Sequence, residues 1–102
     1  MDAYYFKKQI REELDGAEEY IKRAIEIRAM DPSWAKMFVD MSSAELDHAS
    51  NLFKMFEEYY KKVNEDHIDS IPRYMKEIKE CIDDTYMEES AKIRMMHDVY
   101  SK

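Results

Sequence analysis

Apolar residues recur at helical spacing along most of this chain. At 100° per residue, Phe6, Ile10, Leu14, Ala17, Ile21, Ala24 and Ile27 fall on one arc, which predicts an amphipathic helix over residues 3–29. Glu13 lies inside that arc, while Glu12, Asp15, Glu19, Lys22 and Glu26 form an opposite, solvated face. The segment Met30-Asp31-Pro32-Ser33-Trp34 combines a stop with a start, since Asp31 can cap a helix and Pro32 suits its first turn. A second helix over 32–62 follows, with Trp34, Phe38, Met41, Leu52, Phe56 and Tyr59 as its stripe. Glu45 sits near the centre of that stripe and His48 beside it, and both are expected to point inward. Lys61 to His67 is polar and reads as a connection ending at a cap on Asp69 or Ser70. In a third helix over 70–100, Ile71, Tyr74, Ile78, Ile82, Thr85, Met96 and Val99 share an arc that also holds Glu89 and Lys92.

Composition agrees with this reading and narrows the chemistry. One glycine and two prolines in 102 residues leave little material for hairpin turns, so the class is all-α, with residues 1–102 as a single domain free of internal repeats. A core of this size stabilises only modestly, and oligomerisation would help. The net charge of −7 has its signs interspersed, with no basic stripe for phosphates; cations are expected as partners and nucleic acid is not. The single cysteine, Cys81, cannot form an internal disulfide and suits a reducing compartment. No apolar run approaches the roughly 20 residues of a membrane span, and the first residues lack a secretory signal, so a cytoplasmic location with no membrane contact is expected.

Chemistry concentrates at Glu45-Leu46-Asp47-His48. His67 and His97 have Asn64 and Arg94 three residues before them, so Glu45/His48 is the only Glu-x-x-His pair, and it is centred on an apolar face. A buried ionised carboxylate without a partner costs several kcal/mol, which a cation would relieve. The plain alternative is a core histidine hydrogen-bonded to a neighbouring carboxylate. Counting outward from a short hairpin at about residue 31 brings Glu13 to within about one turn of Glu45, at 1.5 Å per residue. One chain thus offers Glu13, Glu45 and His48, half of the carboxylate and imidazole set that di-metal bundles use. Two chains about a two-fold axis would complete it and form a four-helix bundle. The intramolecular rival takes the missing ligands from Glu88, Glu89 or His97. Such oxygen-rich ligation suits iron or manganese, with zinc possible in vitro, and the methionines are expected to fill gaps rather than bind metal.

These residues resemble the ferritin-like superfamily, and most closely the encapsulated ferritins, half-ferritins that build a di-iron centre across a dimer. The run Glu12-Glu13-Leu14-Asp15-Gly16-Ala17-Glu18-Glu19-Tyr20 is similar to that family's first helix, Asp31-Pro32 to its hairpin, and Glu45-Leu46-Asp47-His48-Ala49 to its Glu-x-x-His-Ala. The resemblance covers roughly residues 10–60 and implies Glu13, Glu45 and His48 as iron ligands. It also implies Tyr20 as a hydrogen-bond partner behind the ligands, and Glu12 with Asp15 as outer sites that attract Fe(II). Where an aromatic is expected before Tyr20 stands Glu19, and the chain ends Met96 to Lys102 without the apolar, Gly-containing tag that directs cargo into an encapsulin shell.

The leading expectation is therefore a homodimer, or a higher ring, that holds two Fe(II) ions bridged by Glu45 of each chain and oxidises them with dioxygen or peroxide. The expectation from another class is a non-enzymatic helical assembly module whose Glu45 and His48 form a buried polar pair fixing register. A rubrerythrin-like peroxidase would want an electron-delivering iron–sulfur domain, which one cysteine cannot supply.

Overall fold

The computed structural model describes residues 2–66 and 71–102, and these form three helices with no strand among the described residues. The first, α1, spans Ala3–Ile27 and is capped by Asp2, whose side chain accepts the Tyr5 backbone N–H at 3.0 Å. Such a cap contributes about 1 kcal/mol. Its arc is buried as the periodicity predicts, from Phe6 through Ile10, Leu14, Ala17 and Ile21 to Ala24. The chain then turns within four residues. The N–H groups of Met30 and Asp31 bond the Ile27 carbonyl at 3.0 and 2.8 Å, and the Asp31 carboxylate accepts the Trp34 N–H at 3.0 Å, opening α2 with Pro32 as its first residue.

The second helix, α2, runs Pro32–Asp66, beyond the expected end near residue 62. Nothing in Lys61 to Asp66 breaks a helix, and Val63 packs against the core and draws the last turns along. The expected polar connection is correspondingly shorter. His67 and the caps on Asp69 or Ser70 lie outside the described residues. The third helix, α3, spans Arg73–Ser101 and starts from Pro72, whose carbonyl accepts the Met75 N–H at 3.0 Å.

Because the hairpin is tight, α1 and α2 are antiparallel and in register, with Phe6 tilted against Phe56 at 5.7 Å. The third helix lies along α1 and touches α2 much less. At the top of the bundle the Arg28 guanidinium donates to the carbonyls of Val99 and Tyr100 and covers the Tyr100 ring at 5.7 Å. The C-termini of α1 and α3 are thus pinned together, so these two helices run parallel. Where α2 and α3 do meet, Phe53 stacks on Tyr86 at 4.3 Å. Between α1 and α3, Lys92 bridges Glu18 and Glu89 while Arg11 reaches Glu89, so the Glu89/Lys92 pair neutralises itself at a helix contact.

Two expected arcs are corrected. In α2 the buried positions are Ala35, Ser42, Ala49 and Phe56, spaced by seven, whereas Trp34 and Met41 of the expected stripe remain 63% and 42% exposed. Small residues let α1 approach closely, so the Ala35/Ser42/Ala49 row turns inward; of the expected stripe Phe56 is buried, Phe38, Leu52 and Tyr59 pack partly against the core, and Trp34 and Met41 are left outside. In α3, Tyr74 and Val99 are exposed, and Met75, Ser90 and Ile93 take the inner places. Adjacent apolar residues at 74/75 and 95/96 make either rotation look apolar in sequence, and packing against α1 chooses one.

The resulting body is a rod of 58 × 19 × 15 Å. Its accessible surface of 6939 Å² exceeds the about 6100 Å² typical of a 12.4 kDa monomer.

Candidate metal centre

Midway along the α1–α2 hairpin, three side chains converge. Glu13 comes from α1, one turn before Ala17; Glu45 and His48 come from successive turns of α2. One ligand atom from each lies within 4.8 Å of the others, and His48 Nδ1 stands 3.5 Å from Glu13 Oε2. This is the only such group of three among the described residues.

Gly16 faces this approach, with Glu45 Oε2 3.4 Å from where a Cβ would stand, so a methyl group would fit there and a longer side chain would not. Glycine in a helix interior costs about 1 kcal/mol relative to alanine, so an isolated one at this point marks a close approach. Sequence reading had that signal, the lone glycine of the chain, without its meaning.

The electrostatics suit a cation. Among the described residues neither Glu13 nor Glu45 pairs with a lysine or arginine. The Glu45 carboxyl is pushed up to about 7, first by a hydrogen bond with the Glu13 carboxyl, then by burial and by the Glu13 charge, with His48 opposing. Two facing carboxylates cannot both ionise cheaply, which is why Glu45 holds its proton further up the pH scale. A divalent ion in that place would supply the positive charge the proton now provides. Two carboxylates and an imidazole are hard and borderline donors that suit iron or manganese.

The expectation that Glu45 and His48 both point inward needs correction. Within one chain Glu45 is half-buried, Glu13 retains 24% side-chain exposure, and His48 is 58% exposed on the open flank of α2. The hairpin buries only one side of the cluster, because the row facing α1 is the Ala35/Ser42/Ala49 row.

The outer residues stand apart from it. Glu12 and Asp15 are exposed on the far side of α1, paired with Lys8 at 4.0 Å and Arg11 at 3.6 Å. Tyr20 stacks on Phe38 at 6.1 Å, and among the described residues its hydroxyl bonds no ligand. The intramolecular rival fails on geometry: Glu88 is exposed, Glu89 faces Arg11 and Lys92, and His97 is taken up elsewhere.

His97 reaches Ser42, a contact the sequence did not suggest. Ser42 is fully buried, and its hydroxyl donates to the Ala17 carbonyl at 2.7 Å. With that proton committed, the 2.9 Å contact to His97 Nε2 requires the ring to donate from Nε2–H. Burial holds its pKa below the usual histidine value, against a smaller opposing effect from Asp98. This bridge joins all three helices one turn from Glu13 and Glu45.

The sequence signature of the Rubrerythrin family matches residues 5–102, nearly the whole chain. The chain therefore belongs to the rubrerythrin family, within the ferritin-like superfamily, and membership implies iron binding. No curated protein and no solved structure matches it. No described helix is long and apolar enough to cross a membrane.

Proposed function

We propose that the protein is a di-iron carboxylate protein of ferroxidase type, active as a homodimer whose two chains share one centre, as in the encapsulated half-ferritins its sequence resembles. The observation that carries this reading is the Glu13–Glu45–His48 cluster, whose ligand atoms lie within 4.8 Å of one another with the imidazole left exposed on the flank of α2.

Glu13, Glu45 and His48 would hold the iron, three donors from each chain. Bound there, iron supplies one-electron oxidation of Fe(II) to Fe(III) by dioxygen or peroxide. The chain's own part is charge and geometry. Glu13 and Glu45 would neutralise the charge of the metal, with Glu45 releasing the proton it holds, and so favour the more highly charged oxidised state. Gly16 keeps Glu45 close to α1. Leu14 and Ala17, both fully buried, wall the inner side against water. The protein would work in the cytoplasm.

Anaerobic Fe(II) titration followed by air tests the reading. The expected result is two irons per dimer and a near-ultraviolet absorbance rise on oxidation, lost in Glu45→Ala. A chain that takes up no iron and shows no rise would instead be a helical assembly module, with Glu45 and His48 serving only to fix register.

A further inference from the structure

The first turns of α1 and the middle of α3 enclose a trough that the metal centre does not use. It holds about 390 Å³, and its floor is Ile10 of α1 and Ile82 of α3, both buried. Along α1 it is lined from Tyr4 to Arg11, a length of about 10 Å at 1.5 Å per residue. Because α1 and α3 run parallel, Tyr4 and Cys81 stand towards one end and Arg11 and Thr85 towards the other. The space is thus elongated along the helices and apolar inside.

Its charge is one-sided. Lys7, Lys8 and Arg11 rim it from α1, the α3 edge offers the uncharged Cys81 and Thr85, and no acidic side chain lines it. The chain as a whole carries a net charge of −7, so three cations together without an acid between them favour an anion at this place. Among the described residues Lys7 has no acidic partner, while Lys8 and Arg11 reach Glu12, Asp15 and Glu89 only at 3.6–4.0 Å, contacts that satisfy them weakly.

We propose that this trough binds a medium-chain fatty acid, with the alkyl chain laid between Ile10 and Ile82 and the carboxylate held by Lys7, with Lys8 and Arg11 beside it. The proposal is independent of the iron reading, since the trough shares no residue with Glu13, Glu45 and His48. Only a ligand with both an apolar body and a negative end uses the whole site. Inorganic phosphate would satisfy the cations and leave the isoleucine floor wet. Nucleic acid would meet an acidic protein with three cations to offer. A bilayer surface takes up apolar side chains that protrude, and these are recessed. The volume lies at the small end of ligand pockets, which suits a single alkyl chain and not a two-chain lipid.

Isothermal titration of the metal-free full chain with hexanoate, octanoate and decanoate tests the proposal. Affinity should rise about two- to fourfold for each added methylene, as burial of the chain requires. Cys81, the one cysteine of the chain and exposed, reports the place of binding. Octanoate should slow its alkylation by N-ethylmaleimide, and octylammonium, the same chain with the opposite charge, should not. Lys7→Gln should weaken octanoate binding about tenfold by removing the charged donor. Thr85→Phe fills the trough without touching a cation and should abolish the protection, with circular dichroism checking that both variants stay helical. Absence of binding at millimolar octanoate overturns the proposal, as does equal protection by octylammonium or an unchanged affinity in Lys7→Gln. Protection of Cys81 that grows with protein concentration without any acid would make a second copy the occupant. Sedimentation with anionic vesicles, together with failure of octanoate to protect Cys81, would assign the cations to a membrane surface. Either result also overturns it.

Discussion

The Glu45 carboxylate lies against the bare Cα of Gly16, with Oε2 3.4 Å from the place of a Cβ. A methyl group there makes ordinary contact, so Gly16→Ala should gain the helix propensity of alanine, about 1 kcal/mol, and raise the melting temperature by several degrees. A long side chain cannot be absorbed. Gly16→Leu should keep the helical circular dichroism but displace Glu45, and isothermal titration should then find metal affinity lowered at least tenfold.

The raised pKa of Glu45 fixes the sign of a second effect. A carboxyl whose folded pKa, about 7, exceeds its ordinary value of 4.5 makes the folded chain bind more protons than the unfolded one between those values. The contribution of Glu45 to the stability of the metal-free protein should therefore fall as pH rises from about 4.5 through 7 and then level off. Glu45→Gln mimics the protonated state, so it should flatten that slope and be the more stable protein at pH 8, while losing metal binding. Urea unfolding at pH 5 and pH 8 for both proteins checks this, and a Glu45→Gln protein with the same pH dependence as the wild type would refute it.

At His97 the sign is reversed. Its folded pKa is depressed by burial, so its contribution is fully present above the unfolded value of 6.5 and is lost as pH falls through that value and below. His97→Gln should lose that acid-side decline between pH 7 and pH 5. Ser42→Ala strands the Nε2–H donor in a half-buried site, at a cost of about 1–3 kcal/mol. It should leave the coupling of Glu13 to Glu45 intact, which a titration of metal affinity against pH would show.

Arg28 offers a local test. Removing it deprives the last carbonyls of α3 of a cationic donor and uncovers the Tyr100 ring. Arg28→Ala should cost about 1 kcal/mol, and hydrogen exchange should show the loss confined to the final two turns of α3.

Much of this architecture is legible in the chain. The α1 arc and the Asp31-Pro32 start needed only spacing and capping rules, because one face of α1 is apolar and the other almost wholly charged. The meeting of Glu13 with Glu45 and His48 followed from a hairpin count, since four residues of turn leave little freedom in register. What escaped was rotation. An apolar row announces that it wants cover without saying whose, and in α2 Trp34 and Met41 lost the inner place to Ala35, Ser42 and Ala49, while Phe56 kept it. The Ser42–His97 bridge was hidden for a related reason: it joins residues on different helices, and nothing in the spacing within either one reports it.

A rod 58 Å long and 15 Å thick has little interior for its length. In the proposed dimer part of what keeps it folded would come from outside its own chain, and mass action would then enter its thermodynamics. Its melting temperature should climb with concentration, so that a dilute sample and a crowded one are different materials, and scarcity itself becomes a way of switching the protein off.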